Sequence, residues 1–212
     1  MSTSAMEVSF TPAHNAIATF IFAHGAGADM DSEFIAQISQ ALVALRVNVL
    51  RFNFSYMSAR KVDGKRRPPS RMPTLIEEYK QVLAGCDPAL PIFIGGKSMG
   101  SRVAVHLSEQ ADVAGVMCLG YPFHPQKKPE NLRLDCLFNT NKPVLIVQGT
   151  RDPLGNEQEI KDYQLPAHIK LAFLQDGDHD LKPRVKSGYT HQQHKQRAVE
   201  QMFAFIKVHL NG

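Results

Sequence analysis

The residues with the most evident chemistry are Gly96-Lys97-Ser98-Met99-Gly100, a serine with a glycine two positions away on either side. An apolar run, Pro91-Ile92-Phe93-Ile94, precedes them, and a helical pattern, Arg102-Val103-Ala104-Val105-His106-Leu107, follows. Strand, G-x-S-x-G, helix is the layout of a nucleophile elbow. The turn is so tight that side chains at Gly96 and Gly100 would clash. Ser98 then sits at the apex with its hydroxyl exposed, and the Met99 N–H opens the helix, where it can meet a developing negative charge. The motif alone also fits a Gly/Ser loop between two ordinary elements; the run before it and the pattern after it favour the elbow.

A serine hydroxyl is too weak an acid to attack an acyl carbon unaided, so it needs a base, and the base needs an orienting acid. His179, in Asp176-Gly177-Asp178-His179-Asp180, is the candidate base. Asp152, in Thr150-Arg151-Asp152-Pro153, is the candidate acid that holds the imidazole in one tautomer and stabilises the imidazolium. The chain order Ser98, Asp152, His179 is that of an α/β-hydrolase. Two backbone donors are expected for the oxyanion: Met99 and, from the loop His24-Gly25-Ala26-Gly27, Ala26.

Plainer readings stand beside these. His179, one of nine histidines, could be a surface residue, and Asp152 could be a turn residue, because Asp-Pro favours turns. Asp176 or Asp178 would then be the orienting acid. His24 is expected to brace its own loop. Tyr121 and His124, in Tyr121-Pro122-Phe123-His124-Pro125, are expected to wall the substrate pocket. The acids around His179 do not form a calcium-loop pattern, so neither a metal nor a cofactor is expected.

These residues must be positioned by the elements between them. Glu7–Phe10 is a weak edge strand. Ala16–Ala23, Val47–Phe54, Pro91–Ile94, Val113–Leu119, Pro143–Gly149 and Ile169–Leu174 read as strands, most of them too apolar to face water on either side. Helices are expected from Asp31 or Ser32 to Leu45, over Thr74–Ala84, from Ser98 to about Gln110, over Asn131–Phe138 and over Thr190–His209. Strands alternating with helices predict a doubly wound, mostly parallel α/β sheet with helices on both faces. The reactive residues fall at the carboxyl ends of its strands, where such sheets hold their sites. With no repeat or linker in the sequence, residues 1–212 read as a single domain.

Composition narrows the classes. The apolar fraction of 43% is ordinary for a globular chain, and no tract is long enough for a membrane span. Three cysteines are too few for a disulfide framework. The amino-terminal residues lack the basic and apolar regions of a secretory signal, so a reducing cytoplasm is the expected setting. The net charge of +4 is concentrated: between Ser55 and Met72 lie Arg60, Lys61, Lys65, Arg66, Arg67 and Arg71 against one acid, Asp63. That segment is expected to be a loop, either merely solvated or guiding an anionic substrate. It lacks the interleaved aromatics of a nucleic-acid surface.

Five blocks occur in order: His24-Gly25-Ala26-Gly27, Gly96-Lys97-Ser98-Met99-Gly100-Ser101-Arg102, Leu119–Pro125, Val147-Gln148-Gly149-Thr150-Arg151-Asp152 and Gly177–Lys182. Together they resemble the small α/β-hydrolase-like family that includes testis-expressed protein 30 and a scaffold subunit of a nuclear histone acetyltransferase complex, and more distantly dienelactone hydrolase. The resemblance spans nearly the whole chain and implies the α/β-hydrolase fold with the triad Ser98, Asp152, His179. Ser101 departs from it, standing where a second glycine would follow the elbow. The expected function is a serine hydrolase acting on a small ester or thioester. The alternative is a non-catalytic interaction module on the same scaffold. The connection from Gly120 to Lys142 is too short for a cap domain, so an open site for a small acyl group is expected.

Overall fold

The computed structural model describes residues 6–210. Seven strands form one sheet in the order β1-β3-β2-β4-β5-β6-β7. They are β1 (Val8–Thr11), β2 (Ala18–Ala23), β3 (Val47–Phe52), β4 (Ile92–Lys97), β5 (Val113–Leu119), β6 (Val144–Gly149) and β7 (Ile169–Leu174). Only β1 runs antiparallel, along the outer edge of β3. The central strands β2, β4 and β6 are buried at every residue, as their unbroken apolar runs require.

Helices cover both faces. On one side α1 (Glu33–Ala44) and α7 (His191–Val208) press Ile35, Ile38, Leu42, Ala198, Met202 and Phe205 onto the sheet. On the other, α2 (Ser55–Asp63), α3 (Met72–Ala84), α4 (Met99–His106), α5 (Asp135–Phe138) and α6 (Glu157–Asp162) supply Met57, Leu75, Tyr79, Val103, Leu137 and Ile160. This is the α/β-hydrolase fold.

The order β3-β2-β4 makes the chain leave β2 in one direction for β3 and return on the other side for β4. The loops leaving β2 and β4 therefore open a crevice at their carboxyl ends, the place where open α/β sheets hold ligands. Tyr79 closes the sheet just below it. Its hydroxyl accepts the Gly95 N–H at 2.9 Å and donates to the Ile21 carbonyl at 2.6 Å.

Several expectations need correction. The basic segment begins as a helix: α2 runs to Asp63 and is closed by Gly64 in the left-handed conformation (φ 69°). The elbow helix ends at His106, short of Gln110, and the helix expected over 131–138 is the single turn α5. Helix α6, unanticipated, is set by a capping box in which Asn156 and Glu159 each bond the other's backbone N–H. Residues 120–143, between β5 and β6, contain no helix besides α5, so no cap domain covers the carboxyl edge. No helix among the described residues is long and apolar enough to cross a membrane.

Candidate active site

Ser98 joins β4 to α4 at φ 53°, ψ −113°. A non-glycine residue with positive φ costs on the order of 1–3 kcal/mol and persists only where its surroundings enforce it. Here the enforcement is close backbone packing. A Cβ on Gly96 would lie 2.4 Å from the Gly100 carbonyl carbon, and one on Gly100 would lie 2.6 Å from the Ala23 oxygen. The Ser98 N–H donates to the Leu119 carbonyl at 3.0 Å, tying the turn to β5.

Three side chains from three strand ends meet here. Ser98 Oγ lies 2.7 Å from His179 Nε2, and His179 Nδ1 lies 2.8 Å from Asp152 Oδ2. The carboxylate can only accept, so the proton sits on Nδ1 and leaves Nε2 free to accept the serine O–H. Asp152 is fully buried. Its Oδ1 accepts the Leu154 N–H at 2.8 Å, and its Oδ2 also accepts from Gln148 Nε2 at 2.8 Å. Gln148, the penultimate residue of β6, shares its two N–H hydrogens among that oxygen and the carbonyls of Tyr121 and Gly155. Its Oε1 is buried without a partner. Turning the amide over would aim that oxygen at three acceptors, so the donor orientation is the one the site requires.

The other acids near His179 are engaged elsewhere, which removes them as orienting groups. Asp176 pairs with the Arg184 guanidinium and with Arg151, and Arg184 above all holds its carboxyl well below the usual range. Asp178 Oδ1 accepts the backbone N–H groups of Asp180 and Lys182, each at 2.9 Å. Asp180 reaches Lys97 Nζ at 3.1 Å.

Lys97 precedes the serine, and its side chain is only 10% exposed. Burial pushes its amine below the ordinary lysine range, opposed by Asp180. Its Nζ also stands 6.0 Å from the centre of the Phe34 ring.

The loop after β2 forms the facing wall. His24 is fully buried. Its Nε2 accepts the Phe54 N–H at 3.1 Å, so Nδ1 carries the proton and donates to the Gly25 carbonyl at 2.6 Å. Burial lowers its pKa, which suits the neutral ring this pattern needs. The expected bracing role matches this geometry. Tyr56, on α2, holds the same loop from below, its hydroxyl 3.2 Å from the Ala26 carbonyl. Met99 is the first residue of α4, where helical N–H groups lack acceptors within the helix.

A cleft of about 660 Å³ opens over these groups, lined by Ala26, Phe34, Lys97, Ser98, Leu154 and His179 among others. Tyr121 and His124 do not line it, contrary to the sequence expectation. Both are buried: the Tyr121 hydroxyl donates to the Arg133 carbonyl at 2.8 Å, and His124 faces Pro125 and Glu159. Gly120, at φ 64°, turns the chain inward just before them.

An imidazole so held can take a proton from a hydroxyl aimed into an open cleft. Residues 16–207 match the family described as alpha/beta hydrolase domain. The chain belongs to that family. Solved structures agree on the fold. An α/β serine hydrolase homologue from Coxiella burnetii superposes with a TM-score of 0.72 at 19% identity, over 95% of this chain and 91% of the other. A Xanthomonas campestris serine hydrolase without a lid gives 0.72 at 16%, over 98% and 90%. Dienelactone hydrolase from Anabaena variabilis gives 0.73 at 18%, over 97% and 93%.

Lys97 and Gln148 were not assigned roles from the sequence. Each is a long polar side chain in a strand whose every residue is buried, and that was the available signal.

Proposed function

We propose that this α/β hydrolase family member is a serine hydrolase that cleaves a small ester or thioester through an acyl-enzyme. The 2.7 Å contact between Ser98 Oγ and His179 Nε2 carries the reading. In the first half-reaction His179 takes the serine proton as Oγ bonds the acyl carbon. The tetrahedral oxyanion is met by the N–H groups of Met99 and Ala26. The imidazolium, paired with Asp152, then gives its proton to the departing alcohol or thiol. Water repeats the sequence on the acyl-enzyme and releases the acid. Loss of one oxyanion donor typically costs about 3 kcal/mol of transition-state stabilisation.

The open carboxyl edge, with only α5 between β5 and β6, favours a short acyl group. The three cysteines are unpaired, consistent with action in a reducing cytoplasm. The narrower kinship with testis-expressed protein 30 and the acetyltransferase subunit rests on the same five sequence blocks and adds no substrate.

The test is hydrolysis of p-nitrophenyl esters from two to twelve carbons by wild type and Ser98→Ala. Ser98-dependent turnover that is fastest at two to four carbons is expected. No turnover in the folded wild-type protein would reject the enzymatic reading, and an optimum at ten or twelve carbons would reject the short acyl group.

A further inference from the structure

The loop after β2 has a second cleft on its other side. Ala26 and Gly27 line the Ser98 cleft, and the same two residues line a neighbouring space of about 580 Å³ with Arg60, Arg66, Arg67, Pro68 and Pro69. Three arginines thus border a cleft that shares Ala26 and Gly27 with the cleft over the serine hydroxyl. Asp63 engages only one of them, taking Arg67 through contacts of 2.6 and 2.5 Å. Among the described residues, Arg60 and Arg66 have no carboxylate within 4.0 Å. Helix α2 fixes the spacing: Tyr56 bonds the Ala26 carbonyl, and Arg60 lies one turn further on.

Geometry assigns the two sides. An acyl carbon at Ser98, with its oxygen toward Ala26, places its two substituents on opposite sides of the reacting centre. The Ser98 cleft holds Phe34, Ile35 and Leu154, which suit an acyl chain, and also the amines of Lys97, Lys182 and Lys195. The arginine side suits what leaves. Guanidinium groups bind phosphate through paired N–H donors, and two unpaired ones in one cleft are matched by a phosphorylated group, not by a neutral alcohol.

We infer, resting on the hydrolase reading above, that the leaving group carries phosphate and that Arg60 and Arg66 bind it. The bond chemistry is that of the triad. The Ser98 Oγ–C bond forms first, and the bond from carbon to the leaving sulfur or oxygen breaks as the tetrahedral intermediate collapses. The leaving atom takes the proton from His179, and water completes the hydrolysis to a free acid and a phosphorylated thiol or alcohol.

The test uses matched pairs that differ only in phosphate: S-butyryl-4'-phosphopantetheine against S-butyryl-pantetheine, and a butyryl ester of glycerol 3-phosphate against monobutyrin. Neutral p-nitrophenyl acetate is run alongside. The inference expects kcat/KM to favour the phosphorylated member of at least one pair by about tenfold or more, and the pair that shows it identifies thiol or alcohol. Added salt should narrow that ratio. In Arg60→Gln/Arg66→Gln, with circular dichroism to verify folding, the ratio should fall toward one. Lys127→Gln/Lys128→Gln, which removes the same charge elsewhere, should preserve it. Ratios near one in both pairs, or a ratio unchanged in the arginine variant, would overturn the inference while leaving the hydrolase reading intact if p-nitrophenyl acetate is cleaved. Absence of Ser98-dependent cleavage of every ester would overturn both.

Discussion

Gln148 Nε2 and His179 Nδ1 converge on one oxygen, Oδ2 of the buried Asp152, each at 2.8 Å. The glutamine thereby fixes the direction from which the carboxylate meets the imidazole. Gln148→Leu keeps much of the volume and removes the donor. A hydrogen bond to a charged group contributes roughly 1.5–3 kcal/mol, so kcat should fall about tenfold to a hundredfold. Gln148 does not line the cleft, so KM should change little. Steady-state kinetics on a short ester check this. A rise in KM at constant kcat would show that the residue acts on binding.

Gly100→Ala should be among the more damaging small substitutions in the chain. The added methyl would meet the Ala23 and His24 carbonyl oxygens at 2.6 and 2.7 Å, both backbone atoms that cannot step aside cheaply. Overpacking of this kind costs about 1–3 kcal/mol, or about 2–12 °C in Tm for a chain of this size. Thermal melting measures it. An unchanged Tm would mean that the β2–α4 contact is looser than described.

Asp176 anchors the loop that carries His179. Its folded carboxyl is held below the usual range by Arg184, so its contribution to stability is fully present above the unfolded value of about 3.9 and is lost as pH falls through the folded value. Asp176→Asn should therefore melt below wild type at pH 7, and the gap should narrow at pH 3. A gap that persists unchanged at pH 3 would point to packing in place of charge.

Lys97 has the opposite sign. Its folded amine is lowered by burial, so between the folded value and the unfolded value of about 10.4 the unfolded chain binds more protons, and wild-type stability rises with pH through that window. Lys97→Met removes the cost of burying the charge. Its partner Asp180 is 72% exposed and can return to water. The variant should melt above wild type at pH 7, with the advantage shrinking toward pH 10. A lower Tm at pH 7 would show that the Asp180 pair outweighs the desolvation.

The sequence made the sheet legible because β2, β4, β5 and β6 are buried on both faces and so are written as continuous apolar runs. Ser98 and Asp152 were legible because each follows such a run, whereas His179 follows the edge strand β7, which is half-buried and interrupted by Lys170. Helix α2 was not, since Ser58, Arg60, Lys61 and Asp63 leave it no repeating apolar face, and Phe54 before it gives no side-chain cap. Helix α6 did carry a readable signal, the Asn156–Glu159 capping box. Tyr121 and His124 were misplaced because an aromatic cluster at a strand end looks the same in sequence whether it faces a cleft or, after a left-handed turn at Gly120, the core.

The central claim is that the hydroxyl of Ser98 is a nucleophile activated by His179. Its most direct measurement is intact-protein and peptide mass spectrometry after reaction with a fluorophosphonate. The account predicts a single adduct on the peptide containing Ser98, absent in Ser98→Ala and formed far more slowly in His179→Ala. A folded wild-type protein that stays unmodified, or an adduct that persists in Ser98→Ala, would contradict it.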